Sequence, residues 1–281
     1  MTGTSELRQQ IEDAVRFLQG KTDLIPKVGV ICGTGMGALA DAVENPVKIP
    51  YDNIPHFAVS TVESHHGNLV LGKLAGQPVM VMQGRFHFYE GYTMSQVTFP
   101  VRVMKALGCR AMIVMNAVGS MNPLVPPGDL LLITDHINLM GQNPLIGPND
   151  DTLGPRFPDM SEPYSRRLIA LAEDVALRQK TRIHKGVAIS VTGPNLETAA
   201  EYRFFRRIGA DVVTMSTIPE VIVANHTGLK VLGISTVTDA CLPDALKPAS
   251  VEEIIRVAMS AEPKLTALVT GVLERIGEVI E

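Results

Sequence analysis

Pro78-Val79-Met80-Val81-Met82-Gln83-Gly84-Arg85-Phe86-His87-Phe88-Tyr89-Glu90-Gly91-Tyr92 is the stretch from which the fold can be read. It opens as an unbroken apolar run of strand length, the pattern of a strand covered on both faces. It then meets a glycine and releases a guanidinium, an imidazole and two tyrosines. In open α/β sheets ligands bind at the carboxyl ends of the strands, so polar groups delivered there point to a pocket rim. Arginine offers a planar fork for a phosphate or carboxylate, and histidine adds a further donor. Arg-x-His alone fits equally a solvated loop whose arginine meets a surface carboxylate.

Working outward, apolar strand signals recur at 28–32, 69–74, 111–116, 129–134, 186–191, 211–215 and 230–236. Helical periodicity fills the intervals at 95–107, 161–177, 197–208 and 219–226, and Ser5 is placed to cap a helix running to Leu18. A long helical region from Val251 meets Pro263, which is expected to kink or restart it. Strands alternating with helices predict an α/β domain with a mixed or parallel sheet covered on both faces. Residues 134–161, rich in Asn, Gly, Pro and Asp, read as a functional loop. No repeat or composition shift marks a boundary, so one domain is expected.

The 281 residues are 46% hydrophobic and 19% charged, an ordinary globular composition. A net charge of −4, with no basic stripe, argues against a nucleic-acid partner. No apolar run is long enough to span a membrane, and the first residues lack the features of a secretory signal. Cys32, Cys109 and Cys241 are widely spaced in mostly apolar settings, which predicts buried, reduced thiols in a cytoplasmic protein.

Other strand ends carry candidate chemistry. Gly33-Thr34-Gly35-Met36-Gly37 could cradle an anion or simply turn strand into helix; its spacing fits neither a dinucleotide fingerprint nor a Walker loop. Asn116 ends one strand as a turn-former or a ligand contact. Glu197 reads as a site carboxylate or a first-turn helix residue, and Ser216 as an anion donor or an N-cap. Asp239 closes another strand. The histidines form no metal constellation, and no Gly-x-Ser-x-Gly elbow supports a serine hydrolase. A carboxylate pair for glycoside chemistry could be drawn from Glu90, Glu197 or Asp239.

Along nearly its whole length the chain resembles the trimeric class of purine nucleoside phosphorylases. The motifs that carry the resemblance are Gln83-Gly84-Arg85-Phe86-His87-x-Tyr89-Glu90-Gly91-Tyr92, Asp135-His136-Ile137-Asn138-Leu139, Gly141-Gln142-Asn143-Pro144-Leu145, Gly147-Pro148-Asn149 and Met215-Ser216-Thr217-x-Pro219-Glu220. The resemblance implies one α/β domain, residues 1–281, of the phosphorylase/hydrolase type, with a mixed, barrel-like central sheet flanked by helices. It implies phosphorolysis of a purine nucleoside to free base and pentose 1-phosphate. Phosphate would be a co-substrate, with no cofactor or metal. Phosphate is expected at Thr34, Arg85, His87, Ser216 and the Ala117 N–H, with His65 closing over it. Ribose is expected at Tyr89 and Met215, and the purine at Asn116, Glu197 and Asp239. Ala117, Gly119 and Leu196 complete the nucleoside set, and Phe157 would come from a neighbouring subunit of a homotrimer. His87, Glu197 and Asp239 are the expected catalytic groups.

Two positions depart from the inosine/guanosine pattern: Asp239 replaces an asparagine, and Val251 stands where a histidine contacts the ribose 5′-hydroxyl. Both resemble methylthioadenosine phosphorylases. A protonated Asp239 could donate to N7 while its carbonyl accepts from a 6-amino group; against a 6-oxo group that carbonyl meets another acceptor, a mismatch of about 1–3 kcal/mol. An ionised Glu197 argues the other way, since it pairs with the N1–H of a 6-oxopurine. The main expectation is an inosine/guanosine-type enzyme. The rivals are a methylthioadenosine or adenosine phosphorylase and, from another class, a nucleoside-binding protein without catalysis.

Overall fold

The apolar runs all become strands, and their register brings the polar strand ends together. The computed structural model describes residues 2–33, 36–59 and 67–280, so Thr34 and His65 lie outside the described residues. In chain order the elements are α1 (Thr2–Gln19), β1 (Val28–Ile31), α2 (Ala38–Asp41), β2 (Glu44–Pro50), β3 (Asn68–Leu74), β4 (Gln77–Gln83), α3 (Met94–Leu107), β5 (Ala111–Ser120) and β6 (Leu130–Asn138). They continue as α4 (Arg166–Arg178), β7 (Ile183–Ser190), α5 (Ala199–Arg207), β8 (Val212–Thr214), α6 (Ile218–His226), β9 (Lys230–Ala240), α7 (Val251–Arg275) and α8 (Gly277–Ile280).

The sheet order is β2-β3-β4-β1-β5-β8-β7-β6-β9, and a further β5–β9 pairing closes β5, β8, β7, β6 and β9 into a barrel. Directions are mixed: β4, β1, β5 and β9 run parallel, while β8 and β6 oppose their β5 and β9 neighbours. Along one edge β5 pairs with β9 over its whole length. Its other edge pairs with β1 from Ala111 to Val114 and with β8 at Gly119 and Ser120. Between those two partners, residues 115–118 have no strand partner on that edge, and a cleft opens there. Buried Val, Ile, Leu and Met side chains of β1, β4, β5, β6 and β9 fill the core, each fully buried aliphatic contributing about 1.5–3 kcal/mol.

Several boundaries differ from expectation. The helix α1 starts at Thr2, so Ser5 lies inside it and is not its cap. The unforeseen strand β2 contains Pro46 and Pro50; it pairs only with β3, and at a sheet edge the missing N–H groups are tolerated. β6 runs on through Asp135 and His136, taking residues expected in the loop. Helix α5 starts at Ala199 behind an N-cap box of Thr198 and Glu201, which leaves Glu197 outside the helix. Pro263 does not end α7, which continues to Arg275. Pro263 is exposed, so the carbonyl it leaves without a helical partner faces solvent.

Candidate active site

Arg85 and His87 face the cleft because Phe86 between them faces the core. In extended backbone successive side chains alternate sides, and Phe86 is buried edge-on against Tyr51, ring centroids 5.1 Å apart. The Tyr51 hydroxyl donates to the Gly84 carbonyl at 2.8 Å, pinning the loop just before Arg85. The guanidinium is buried and held from several sides. Nε donates to Glu220 Oε1 at 3.0 Å, with Nη2 in an ion pair 2.8 Å from the same oxygen, and Nη1 donates to the Met115 carbonyl at 2.8 Å and Ser216 Oγ at 3.2 Å. The His87 ring stacks on Tyr89, centroids 4.6 Å apart, and its Nδ1 lies 3.0 Å from Glu90 Oε1.

Ser216 reaches the same spot from the end of β8. It follows β8 and is fixed by hydroxyl contacts to Thr214 (3.2 Å) and Thr217 (3.3 Å). Thr217 adopts φ 73°, ψ −54°, with Ile218 N–H donating to the Ser216 carbonyl at 2.8 Å: a γ-turn. A β-branched residue at positive φ is strained by about 1–3 kcal/mol, and such strain collects at functional sites. Thr217 is the N-cap of α6 without a side-chain cap bond, so Ser216 is not the cap and its hydroxyl faces the cleft. Next along β5, Asn116 donates from Nδ2 to Thr214 Oγ1 at 3.1 Å and accepts from Ser235 Oγ at 2.7 Å.

The far end of the cleft is acidic. Asp239 accepts from Thr238 Oγ1 (2.8 Å) and from Cys241 Sγ (3.0 Å). Glu197 faces it from the loop after β7, hydrogen-bonded to Tyr202. Burial raises the Glu197 carboxyl above its ordinary value; the Tyr202 hydrogen bond opposes this, and the Asp239 charge adds to it. Burial also pushes the Tyr89 phenol up to about 12, so it stays a neutral donor. Arg85 meets β5 at Met115 and Asp239 passes it at Gly119; at about 3.3 Å per strand residue the two ends lie about 13 Å apart. Ala117, Val118, Tyr89 and Met215 line the span between them, in a cleft of about 230 Å³.

Arg85, His87, Tyr89, Asn116, Ala117, Gly119, Leu196, Glu197, Met215, Ser216 and Asp239 thus share one cleft. Val251 does not join them. It is 64% exposed at the first turn of α7, and Ile254, one helical turn on, lines the cleft instead. Phe157 is 86% exposed and lines a separate hollow with His136, Asn138 and Met160. Sequence reasoning missed Glu220, Tyr202, Cys241 and Ile254. Glu220 stood inside a quoted motif, whereas Cys241 read only as a buried thiol. Among the described residues no cluster of three or more His, Cys, Asp or Glu could hold a metal.

The chain matches the phosphorylase superfamily pattern over residues 27–274. It is 53% identical to purine nucleoside phosphorylase 1 of Bacillus subtilis (strain 168) over 267 residues, covering 95% of this chain and 98% of that one. The chain belongs to the purine nucleoside phosphorylases of the phosphorylase superfamily. Solved structures of the Schistosoma mansoni purine nucleoside phosphorylase superpose on it with a TM-score of 0.91. One is in complex with inosine (40% identity, covering 95% of this chain and 96% of that one), another with adenosine (39% identity, 95% and 97%). The mixed, closed sheet expected from the resemblance is therefore the fold of this purine nucleoside phosphorylase.

Proposed function

We propose that the cleft catalyses phosphorolysis of purine ribo- and 2′-deoxyribonucleosides, giving free purine and (deoxy)ribose 1-phosphate, in purine salvage in the cytoplasm. The observation that carries this reading is the segregation of the cleft: a buried, carboxylate-backed arginine beside Ser216 and His87 at one end, two carboxyl groups at the other. The names and ligands of the relatives support it. Phosphate would bind Arg85, His87, Ser216 and the Ala117 N–H, completed by Thr34 and His65. Ribose would lie over Tyr89 and Met215, and the base between Asn116, Gly119, Leu196, Glu197 and Asp239. Residues 1–281 act as one domain, and Phe157 of a neighbouring subunit would close the sugar pocket of a homotrimer.

A phosphate oxygen forms the bond to the anomeric carbon as the C1′–N9 bond breaks, and the bond's electron pair passes into the purine. The sugar becomes cationic on the way, and the phosphate dianion held beside it stabilises that charge. A hydrogen-bond donor at N7, at the Asp239 end of the cleft, stabilises the departing base, a role typically worth about 10²–10⁴-fold. Alignment of the two partners along β5 adds a proximity contribution. Each step uses groups of the chain and the two substrates, so no cofactor enters.

Asp239 also favours a second reading, an adenosine or methylthioadenosine phosphorylase, because a carboxylate accepts from a 6-amino group. Comparing kcat/KM for inosine and methylthioadenosine, each with phosphate, decides between them. The first reading requires inosine to be the better substrate; methylthioadenosine preferred by about tenfold or more, 1.4 kcal/mol, overturns it.

A further inference from the structure

Tyr202 and Cys241 line the base end of the cleft, and phosphorolysis as outlined uses neither. Cys241 donates its S–H to Asp239 Oδ2 at 3.0 Å, while Thr238 occupies Oδ1 at 2.8 Å. The Tyr202 hydroxyl reaches both Glu197 and Cys241. Each carboxyl group therefore has its own neutral donor, the phenol at Glu197 and the thiol at Asp239, side by side in one array. β5 makes room for it: a Cβ on Gly119 would lie 2.4 Å from Cys241 Sγ and 3.1 Å from Asp239 Oδ2. Burial raises both the phenol and the thiol, so each remains a neutral donor. Other charges act on Glu197 too, since Glu201 adds to the repulsion from Asp239.

We propose that Tyr202 and Cys241 are positioning residues that set which of the two carboxyl groups holds a shared proton, and with it whether the pocket takes a 6-oxopurine or a 6-aminopurine. The inference rests on the reading that the base lies between Glu197 and Asp239. With the proton on Asp239, Glu197 is an anion that accepts N1–H, and the acid donates toward O6 and N7. Its carbonyl oxygen stays occupied by Thr238 or Cys241, which removes the clash with O6 expected from sequence. With the proton on Glu197, that acid donates to the bare N1 of a 6-aminopurine and ionised Asp239 accepts from the amino group. The two states differ by one proton, exchanged with solvent through the open cleft; no other bond changes. Tyr202 donates to Glu197 and favours its anion, and Cys241 donates to Asp239 and favours that anion. The two residues therefore push specificity in opposite directions.

The test is the ratio of kcat/KM for inosine to that for adenosine, at saturating phosphate. Tyr202→Phe is expected to lower the ratio and Cys241→Ala to raise it, each by about two- to tenfold, the net effect of one hydrogen bond. Cys241→Ser restores a donor and is expected to return the ratio toward that of the parent; Cys241→Val, donor-free and bulkier, replaces the alanine variant if that does not fold. Asp239→Asn serves as the control for the base site and is expected to move the ratio toward inosine. A shifted ratio in Asp239→Asn with no shift, or shifts of the same sign, in Tyr202→Phe and Cys241→Ala overturns this inference alone. An unchanged ratio in Asp239→Asn overturns the base-site reading and this inference together.

Discussion

Arg85 is fixed by Glu220 before any ligand arrives, so the candidate anion site is organised at the expense of a buried ion pair. Removing one partner of such a pair costs about 3–5 kcal/mol, because the other charge is left buried. Glu220→Ala is accordingly expected to lose stability of that order in urea unfolding and to raise KM for phosphate more than KM for nucleoside; an unaltered phosphate KM would detach Glu220 from the site. Glu197 yields a pH prediction. Its carboxyl is raised above the ordinary 4.5 by burial, and its ionised form is the one that pairs with N1–H. As pH rises through that raised value the anion fills, so the inosine-to-adenosine ratio of kcat/KM should climb from acid toward neutral pH. A flat ratio over that interval contradicts the assignment. Arg-x-His was legible at this scale because alternation along an extended chain is a local rule. The Arg85–Glu220 pair was not, since its partners are 135 positions apart and no spacing announces them. Cys241 shows the same limit: a thiol in an apolar run reads as core until the fold sets Asp239 beside it.

β5 is the element on which the site is strung. Its change of partner from β1 to β8 opens the cleft, and two glycine approaches keep it narrow. A Cβ on Gly33 would lie 3.0 Å from the Met115 carbonyl, and one on Gly119 only 2.4 Å from Cys241 Sγ. Gly119→Ala must therefore displace the carboxylate array. Misplacement by about 1 Å can cost 10²-fold, so kcat/KM for inosine is expected to fall at least tenfold, with phosphate KM nearly unchanged; full retained activity would show that the array has room to spare. The strands and most helices were legible as apolar runs and 3.6-residue periods. The edge strand β2 was hidden by its prolines and by having only Ile49 buried. Glu197 reads as helical because a capping box beginning one residue later looks, in one dimension, like a helix already begun.

For the whole molecule, barrel closure follows from β5 and β9 pairing along their full length, a non-local event that reached the sequence reading only through resemblance. Phe157 belongs to this scale as well: at 86% exposure it contributes little to its own subunit. If a neighbour lends it to the sugar pocket, Phe157→Ala leaves thermal stability within about 0.5 kcal/mol. Its nucleoside KM rises about fivefold or more, and light scattering reports a particle of three times the 30.3 kDa chain. A monomeric particle, or a nucleoside KM that does not rise in Phe157→Ala, contradicts that arrangement. The account stands or falls on whether the Arg85 end of the cleft holds the nucleophile. Purified protein with inosine, assayed for hypoxanthine and ribose 1-phosphate with and without inorganic phosphate, tests this most directly. The account predicts equal amounts of both products with phosphate and no base release without it. Hypoxanthine released at the same rate in the absence of phosphate, as free ribose appears, would contradict it.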